Sequence, residues 1–343
     1  MSNSFPSHSP DPGPLVLGMD AGGTKTRALV TTLSGHRLGE ALSEGANPNS
    51  HGVDLAAQRL TEAATAALDR AGPGSRRALA ATAIGLAGVS ALAEESVRAR
   101  MHTALTRAGV DTEAVFTGDD EVAFASGTCE PDGVVLIAGT GAIAARMRAR
   151  TRTGVADGLG WLVGDAGSGF WIGHRAARAS ARQLMAGYEA GPLAQAVLAH
   201  ALPERQDLAP RERARALARV LTAAPPINLA QLAPLVSRAC EQGDALAAHI
   251  VARAAQHLAD SVRSVRESGE RTPVVLAGGV LARSGPVRAA LVRELSPEAP
   301  VVTAGCTVGG AAWTAALRAG VSAGDRHTHA AFTLPRPSEH APG

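Results

Sequence analysis

Aromatic residues, cysteines, lysines and long apolar runs are all scarce in this 343-residue chain. Aromatic side chains make up 3% of it, which leaves few platforms for stacking bases, and the net charge of +2 gives no basic excess to attract nucleic acid. The apolar runs are strand-length or broken by Arg and Gly, well short of the ~20 residues that cross a bilayer. These absences predict neither a nucleic-acid partner nor a membrane-spanning segment.

The three cysteines, Cys129, Cys240 and Cys306, form no CxxC pair. Their separation argues against a local zinc site or a disulfide framework and favours reduced thiols. Residues 1–14 are Ser/Pro-rich and lack the basic start and apolar centre of a signal peptide, so we expect a disordered leader. The sequence therefore predicts a cytoplasmic protein, long enough for two domains with separate cores.

Two apolar segments break at a glycine-threonine turn and then resume as strands. They are LVLGMDAGGTKTRALVTT (15–32), which contains the chain's single lysine, and VVLIAGTGAIAARMR (134–148). Glycines at the tips let backbone N–H groups approach an anion without an intervening Cβ, and a threonine hydroxyl adds a donor. Two such hairpins predict two similar halves that bind one phosphate-bearing ligand.

Strands and helices alternate along the chain, which predicts an α/β fold. In the first half the patterns predict strands over 36–41, 79–86 and 114–117 and helices over 54–71 and 93–108. In the second half they predict a mostly helical stretch over 171–267, a strand over 274–277, a helix to about residue 295 and a last helix after Gly309 and Gly310. The result is a duplicated fold with a helical insertion in the second half. Four alternating arginines at 146, 148, 150 and 152 predict a solvated strand face, with anion binding as the alternative.

The segments GMDAGGTKT, LIAGTGA, GWLVGDAGSGFW and VLAGGVLAR, in this order, resemble the BadF/BadG/BcrA/BcrD-type ATPase family and its N-acetylglucosamine kinase branch. The resemblance runs from about Leu15 to Leu317. It implies the actin, Hsp70 and hexokinase-like architecture, in which two duplicated ribonuclease H-like domains have a central ATP cleft. It also implies that the protein uses ATP and Mg²⁺. The expected domains are 15–127 and 128–320, followed by a flexible tail over 321–343, with the last helix free to pack back on the first domain.

The resemblance also implies an amino-sugar kinase that phosphorylates the 6-hydroxyl of N-acetylglucosamine. It is compatible with a homodimer but does not decide the oligomeric state. Its nucleotide-binding positions fall on two phosphate loops and an adenosine motif: Gly22, Gly23, Thr24 and Lys25; Gly139, Thr140 and Gly141; and Gly278 and Gly279. Asp20 matches the acidic position that holds Mg²⁺, usually through water. From the residues alone, ordinary hairpin turns and a common strand-to-helix junction remain the alternatives.

Asp119, in FTGDDEVAFASG, matches the family's catalytic aspartate. Phosphoryl transfer needs a carboxylate that accepts the proton of the attacking hydroxyl, so Asp119 is the predicted general base. The neighbouring Asp120 is the alternative, since two acids at a helix start can also serve as an N-cap and first-turn pair.

Short polar side chains and glycines match the family's sugar-contacting positions: Asn47, Gly158, Gly160 and Asp165. The alternatives are a turn residue at Asn47 and a helix N-cap at Asp165. Ala166 stands where many relatives have Glu, and Trp161 where animal N-acetylglucosamine kinases have His. Both differences leave the identity of the amino sugar open, glucosamine included.

Two other functions are compatible with parts of the pattern. The family's second branch contains ATP-driven activators of a dehydratase or reductase, which hold an iron–sulfur cluster on cysteines in the glycine-rich segments. Here no cysteine lies between Cys129 and Cys240. A sugar-sensing regulator would need an added DNA-binding module, for which residues 1–14 are too short.

Overall fold

Two five-stranded sheets repeat one topology in the computed structural model, which describes residues 13–204 and 208–334. The strands of the first sheet, in chain order, are β1 (Leu15–Ala21), β2 (Lys25–Thr32), β3 (Arg37–Glu44), β4 (Leu79–Leu86) and β5 (Ala114–Gly118). Those of the second are β6 (Gly133–Ala138), β7 (Ala142–Arg148), β8 (Thr151–Asp157), β9 (Val274–Ala277) and β10 (Val301–Thr303).

The strand orders are β3-β2-β1-β4-β5 and β8-β7-β6-β9-β10. In each sheet the first three strands in chain order pair antiparallel, and the other two extend the sheet in parallel from the far side of the first strand. The predicted α/β class and duplication are therefore confirmed. The strands predicted over 79–86 and 274–277 are exact, whereas β8 and β10 were not predicted.

The chain divides into two compact units, one made of the residues up to Glu130 together with those from Gly305 onward, the other of Pro131–Ala304. The helices of the first unit are α1 (Pro48–His51), α2 (Val53–Ala71), α3 (Glu95–Arg107), α4 (Asp119–Gly127), α11 (Thr307–Arg318) and α12 (Arg326–Thr333). Those of the second are α5 (Gly169–Met185), α6 (Pro192–Ala201), α7 (Pro210–Ala223), α8 (Ala233–Glu241), α9 (Ala245–Ser264) and α10 (Pro286–Leu295). Short 3₁₀ turns occupy Val89–Ala93 and Pro226–Leu232.

The first unit buries both faces of its sheet. One core joins Leu15, Leu17 and Met19 of β1 to helices α2 and α3. The opposite core joins Val16 to Trp313 and other apolar residues of α11 and α12. Because successive strand residues point to opposite faces, the unbroken apolar run of β1 supplies both cores.

Helix α11 packs on the first unit through glycines, which is why the chain returns there. A Cβ at Gly18 would lie 2.2 Å from the Ala312 nitrogen, and one at Gly310 would lie 2.3 Å from the Val122 carbonyl oxygen. The predicted domain over 128–320 includes this helix, with packing back on the first domain as an option; in the structure the helix belongs to the first unit.

A flexible tail was expected from residue 321, but helix α12 lies within it. Asp325 caps this helix by accepting a hydrogen bond from the Thr328 N–H at 3.0 Å. Phe332 is fully buried, and the ring of His329 lies 2.8 Å from the Ala125 carbonyl oxygen. Apolar burial thus orders this segment despite its His-rich composition. The leader residues 1–12 and the end of the chain lie outside the described residues.

The alternating arginines do not share one strand. β7 ends at Arg148, and the chain reverses through Ala149 and Arg150, both at positive φ. Arg148 Nη1 lies 3.0 Å from a carboxylate oxygen of Glu270, so this arginine is part of an ion pair. No helix of the described chain is long and apolar enough to span a membrane.

Candidate functional site

The tip of the first hairpin is an open glycine turn supported from one side. The Gly22 N–H donates to the Lys25 carbonyl at 3.0 Å, and a Cβ added at Gly23 would meet no atom within 4 Å. The supporting segment approaches closely, since a Cβ at Gly45 would lie 2.2 Å from the Gly23 oxygen. A ring nitrogen of His51 lies 2.7 Å from the same oxygen. The predicted loop 22–25 is therefore a held turn with free space at its tip.

Asp20 is a partly buried carboxylate at the base of this hairpin. It lies opposite Arg27 in the β1–β2 register, and its Oδ2 accepts a hydrogen bond from the Thr307 hydroxyl. Burial raises the pKa of Asp20, against the opposing effects of Thr307, Arg27 and Lys25. Thr307 was not predicted, because nothing near residue 307 indicates that helix α11 returns to β1.

Asp119 and Asp120 are the first two residues of helix α4, and their environments differ. Asp119 is solvent-accessible, whereas Asp120 is buried with 2% of its surface exposed. The N-cap position belongs to Gly118, whose N–H donates to the Glu121 carboxylate at 2.9 Å. Neither aspartate is therefore the cap residue, and both lie in the first turn, where the helix dipole favours carboxylates.

The Asp119 carboxylate lies in an acidic neighbourhood. Burial by the surrounding protein makes the largest contribution to its raised pKa. The negative charges of Asp120 and then of Asp20 raise the pKa further, whereas hydrogen bonds from backbone N–H groups lower it. Asp20 and Asp119 therefore lie within electrostatic range of each other. A raised pKa makes a carboxylate a stronger proton acceptor once it is ionised.

This pair of carboxylates fits the ligand chemistry of Mg²⁺. That ion uses one or two carboxylates together with phosphate oxygens and water, and a cation would relieve the repulsion between Asp20 and Asp119. Within residues 13–204 and 208–334, no three His, Cys, Asp or Glu side chains cluster as a metal site built from protein alone. The donor set matches a metal that arrives with phosphate.

Asn47 lies in the segment that supports the first hairpin. Its side-chain oxygen accepts a hydrogen bond from the Asn49 N–H at 2.9 Å and caps the short helix α1. A Cβ at Gly88, which has φ +80°, would lie 2.6 Å from this oxygen. The predicted turn role is therefore present, and its predicted contact with a sugar remains a prediction.

The tip of the second hairpin is held by the start of helix α5. The Gly139 N–H donates to the Gly141 carbonyl at 2.9 Å, which closes the turn. The Gly139 carbonyl accepts from the Gly169 N–H at 2.7 Å, and the Thr140 carbonyl accepts from the Phe170 N–H at 3.2 Å. The predicted loop 139–141 is thus fixed in place by the backbone of another element.

Asp165 lies directly beside this second turn. Its backbone has φ +57°, its surface is 7% exposed, and a Cβ at Gly141 would lie 2.5 Å from its Oδ2. Its Oδ1 is buried with no hydrogen-bond partner among the described residues. Burial raises its pKa more than nearby backbone N–H groups, those of Gly160 and Ala142 first, lower it. The N-cap of α5 is Ser168, which accepts from the Trp171 N–H at 3.2 Å, so Asp165 does not cap that helix.

Asp157 holds the Asp165 loop and was not predicted. Its carboxylate accepts hydrogen bonds from the backbone N–H groups of Asp165 and, at 3.2 Å, of Ala166. Ala166 therefore takes part through its backbone N–H. The strained φ of Asp165 is stabilised by a carboxylate eight residues earlier, at the end of β8.

An apolar loop with glycines at both ends joins Asp157 to Asp165. Gly158 and Gly160 have φ of +72° and +84°, and the Gly158 N–H donates to the Ala142 carbonyl at 2.8 Å. Leu162 and Val163 are 78% and 74% exposed, so the apolar side chains of this loop face solvent. Trp161, in contrast, packs against Phe170 with ring centroids 5.1 Å apart.

Gly278 lies where β9 meets the end of β6. It has φ +85°, and a Cβ there would lie 2.4 Å from the Ala138 oxygen, which accepts from the Val280 N–H at 2.9 Å. A Cβ at Gly279 would meet no atom within 4 Å. The sequence pattern predicts that a helix begins here, but α10 begins only at Pro286, after a turn that needs the left-handed conformation of Gly278.

The structure groups the predicted residues by unit. In the first unit Asp20, Asp119 and the turn 22–25 surround the carboxyl ends of β1 and β5, while in the second the turn 139–141, Asp165 and Gly278 surround the end of β6. Carboxyl ends of parallel strands are where ligands bind in α/β sheets. Each unit therefore presents its predicted residues at the expected edge.

Comparison with known proteins gives relatives over most of the chain. An N-acetylmuramic acid/N-acetylglucosamine kinase of Clostridium acetobutylicum is 29% identical over 271 residues, covering 78% of this chain and 85% of the relative. An N-acetyl-D-glucosamine kinase of Dictyostelium discoideum is 27% identical over 307 residues, covering 85% and 94%.

Among solved structures, a Chromobacterium violaceum protein with the provisional name N-acetylglucosamine kinase matches with a TM-score of 0.67 and 23% identity, covering 88% of this chain and 99% of that one. At this level of sequence identity, the match supports a shared fold and nothing further. The sequence profile of the BadF/BadG/BcrA/BcrD ATPase family matches residues 17–307. The chain belongs to the BadF/BadG/BcrA/BcrD ATPase family.

Proposed function

We propose that this protein is an ATP-dependent amino-sugar kinase that phosphorylates the 6-hydroxyl of N-acetylglucosamine. The observation that carries the proposal is the pairing of Asp119 with Asp20. Asp119 is a solvent-accessible carboxylate with a raised pKa, and Asp20 is close enough to raise it. Phosphoryl transfer needs one carboxylate for the acceptor proton and one for the metal, and these two residues supply both.

In this mechanism Asp119 accepts the proton of the sugar hydroxyl as the hydroxyl oxygen attacks the γ-phosphorus of ATP. The bond between this phosphorus and the bridging oxygen breaks, and ADP leaves. Asp20 would hold Mg²⁺, and the Thr307 hydroxyl, which donates to Asp20 Oδ2, fixes this carboxylate. When bound, Mg²⁺ neutralises negative charge on the phosphate oxygens. Asp120 is buried among its own helix contacts, which favours Asp119 as the base.

The glycine turns bind the nucleotide in this proposal. Gly22, Gly23, Thr24 and Lys25 contact phosphates from the first unit, and Gly139, Thr140 and Gly141 do so from the second. The open space at Gly23 and Gly139 supports these roles, since no atom lies within 4 Å of a Cβ at either position. Gly278 and Gly279 lie against the adenosine.

The sugar contacts assigned to Asp165, Asn47, Gly158 and Gly160 rest on less direct support. The buried Oδ1 of Asp165 lacks a donor, and a sugar hydroxyl would supply one. Both curated relatives are named as kinases of N-acetylglucosamine, which supports this amino sugar. Glucosamine, and N-acetylmuramic acid from the name of the clostridial relative, are the competing acceptors.

The test is phosphorylation of a sugar panel by purified protein with ATP and Mg²⁺. We expect the highest kcat/KM with N-acetylglucosamine, and phosphorus–proton correlation NMR should place the new phosphate on carbon 6. Preference for another amino sugar would correct the substrate only. ATP turnover that no sugar in the panel stimulates would contradict the kinase proposal. The proposal includes a cytoplasmic location and a homodimer, the latter measurable by light scattering.

A further inference from the structure

Helices α5 and α9 of the second unit enclose a groove lined by positive side chains. Its volume is about 300 Å³, and its polar lining consists of Arg175, Arg178, Arg182, His249, Arg253 and His257. No carboxylate lines it. The groove lies outside the residues that the proposed kinase mechanism uses.

Helical spacing aligns these side chains in two facing rows. Arg175, Arg178 and Arg182 recur at three and four residues along α5, and His249, Arg253 and His257 recur at four along α9. Residues with this spacing share one helix face. At one end, the Trp171 ring contacts the His257 ring with centroids 5.1 Å apart, so the two rows meet there.

The arginines of the groove lack acidic partners, unlike other arginines of this unit. Arg146 and Arg263 form ion pairs with glutamates, whereas Arg175, Arg178 and Arg182 form none within the described residues. The side-chain contact of Arg253 is to the neutral Gln256, at 2.8 Å. The groove therefore concentrates four positive charges that nothing in it compensates.

The neighbouring histidines respond to this charge. The pKa of His257 is lowered by burial and then by Arg253 and Arg175, although Asp260 and Asp157, which do not line the groove, act in the opposite direction. Burial and then Arg178 and Arg175 lower the pKa of His174, on the same helix. Repulsion of this kind decreases when an anion binds.

We propose that this groove binds a small multivalent phosphate, of the size of inorganic triphosphate or a phosphorylated sugar. Guanidinium groups bind phosphate oxygens through paired N–H donors, and several arginines facing one space select for more than one negative charge. The volume is at the lower end of small-molecule sites. Leu246, Ile250 and Ala179 supply apolar surface for the remainder of a ligand.

The groove is less suited to nucleic acid. The Arg175 guanidinium lies 5.1 Å from the centroid of the Trp171 ring, so the single aromatic platform is already covered. Arg175 to Arg182 spans only about 10 Å along the helix, which matches one short anion and not an extended phosphate backbone.

The test is calorimetric titration of the protein with inorganic tripolyphosphate in the absence of nucleotide and Mg²⁺. We expect binding that weakens with salt. The double variant Arg178→Glu with Arg182→Glu should bind about 100-fold more weakly. The matched control is Arg215→Glu with Arg219→Glu, which reverses two exposed arginines of α7 in the same unit and should bind as the wild type does.

A second titration, with glucose 6-phosphate, identifies the source of the phosphate. Tighter binding of the sugar phosphate, with the same dependence on Arg178 and Arg182, would assign the groove to a phosphorylated sugar. Tighter binding of tripolyphosphate would assign it to a polyphosphate. If the glutamate variant does not fold, Arg178→Gln with Arg182→Gln replaces it, and a lesser loss of affinity is expected.

Equal affinity in the groove variant and in the control would overturn the inference. A single-stranded oligonucleotide that binds the groove more tightly than either small anion would also overturn it. Kinase activity is measured separately, so failure of this inference leaves the proposed function standing.

Discussion

The two sheets share a topology but carry different chemistry. In the first unit, β1 places Asp20 near its end and the β5–α4 junction presents Asp119. The corresponding strand of the second unit, β6, is GVVLIA and has no polar side chain, and the acids beside its turn, Asp157 and Asp165, come from outside that strand. The duplicated fold therefore carries carboxylates at the end of β1 and at the β5–α4 junction in one copy, and a turn held by backbone hydrogen bonds in the other. In the proposed function the first copy supplies the chemistry and the second binds phosphate and sugar.

The hairpin tips differ in the same way. The first is supported by Gly45, which follows β3, and by His51 at the end of helix α1. The second has the carbonyl oxygens of Gly139 and Thr140 already paired with the start of α5. If this division is functional, substitutions in the first unit should change the rate of chemistry, and those beside the second turn should change sugar binding.

The largest expected effect is that of Asp119→Asn. Removing a general base typically costs 10²- to 10⁴-fold, so kcat should decrease by about that factor, while binding of ATP persists. The raised pKa of Asp119 also places the acid limb of kcat/KM above the ordinary Asp pKa of 3.8. Steady-state kinetics from pH 4 to pH 9 measure both effects.

The melting temperature of the protein provides the control for this variant. When folding raises the pKa of a carboxyl, its contribution to stability is fully present at pH values below the pKa of the unfolded state. This contribution is lost as the pH rises through the pKa of the folded state. Asp119→Asn should therefore melt at the wild-type temperature or above it at pH 8. Asp120→Asn should instead decrease stability, because Asp120 is buried. Full activity of Asp119→Asn together with an inactive, folded Asp120→Asn would reverse the assignment.

The next effect concerns the stability of the first unit. Gly310→Ala introduces a methyl group 2.3 Å from the Val122 carbonyl oxygen, a rigid backbone atom. We expect a decrease of about 3 kcal/mol in the free energy of unfolding, measured by urea denaturation. Gly324→Ala is the matched control, since its Cβ would meet no atom within 4 Å. Equal stability of the two variants would mean that α11 does not pack as described.

A smaller effect is expected in the second unit, where the contribution of Glu270 to the free energy of unfolding should depend on pH. Burial alone would raise the pKa of Glu270, but the Thr272 hydroxyl, the Glu267 N–H and Arg148 lower it to about 2 from 4.5. The stabilisation is therefore present above pH 4.5 and is lost as the pH falls towards 2. Glu270→Gln should cost about 2 kcal/mol at pH 7 and progressively less in acid.

Glu267→Gln is the comparison for that variant, because its side chain is 71% exposed and pairs with the same arginines. We expect it to change the free energy of unfolding by less than about 1 kcal/mol at pH 7. A loss as large as that of Glu270→Gln would show that exposure does not decide which pair matters.

The smallest effect is on sugar binding. Gly141→Ala would place a methyl group 2.5 Å from Asp165 Oδ2 and displace that carboxylate. We expect KM for N-acetylglucosamine to rise about tenfold, equal to ~1.4 kcal/mol, with a smaller change in kcat. Gly154→Ala on β8, where the nearest atom to an added Cβ is the Arg146 Cβ at 4.0 Å, should leave both constants unchanged. A change confined to kcat would contradict the division between the units.

Local patterns predicted the duplicated α/β fold, both glycine turns and the position of Asp119 at a helix start. They did so because strand periodicity and turn glycines are encoded within a few residues. Local patterns could not predict the role of Thr307, because it contacts Asp20 across a sequence separation of 287 residues. Strand β8, TRTGVAD, has an exposed and polar pattern, and β10 has only three residues, so neither gives an apolar signal. Asp157 was missed because its role depends on the strained backbone of Asp165, which no sequence spacing reveals.

The return of the chain to the first unit imposes an order on biosynthesis. Val16, Leu29 and Ala83 share a core with apolar residues from Cys306 to Phe332, so the emerging first unit exposes much of one apolar face of its sheet until those residues are made. The second unit is complete at Ala304, before that face can be covered. At ~5–20 residues per second, the ribosome needs roughly ten to thirty seconds between Glu130 and Gly305. During that interval the nascent first unit is a substrate for chaperones, and the continuous second unit is able to fold first.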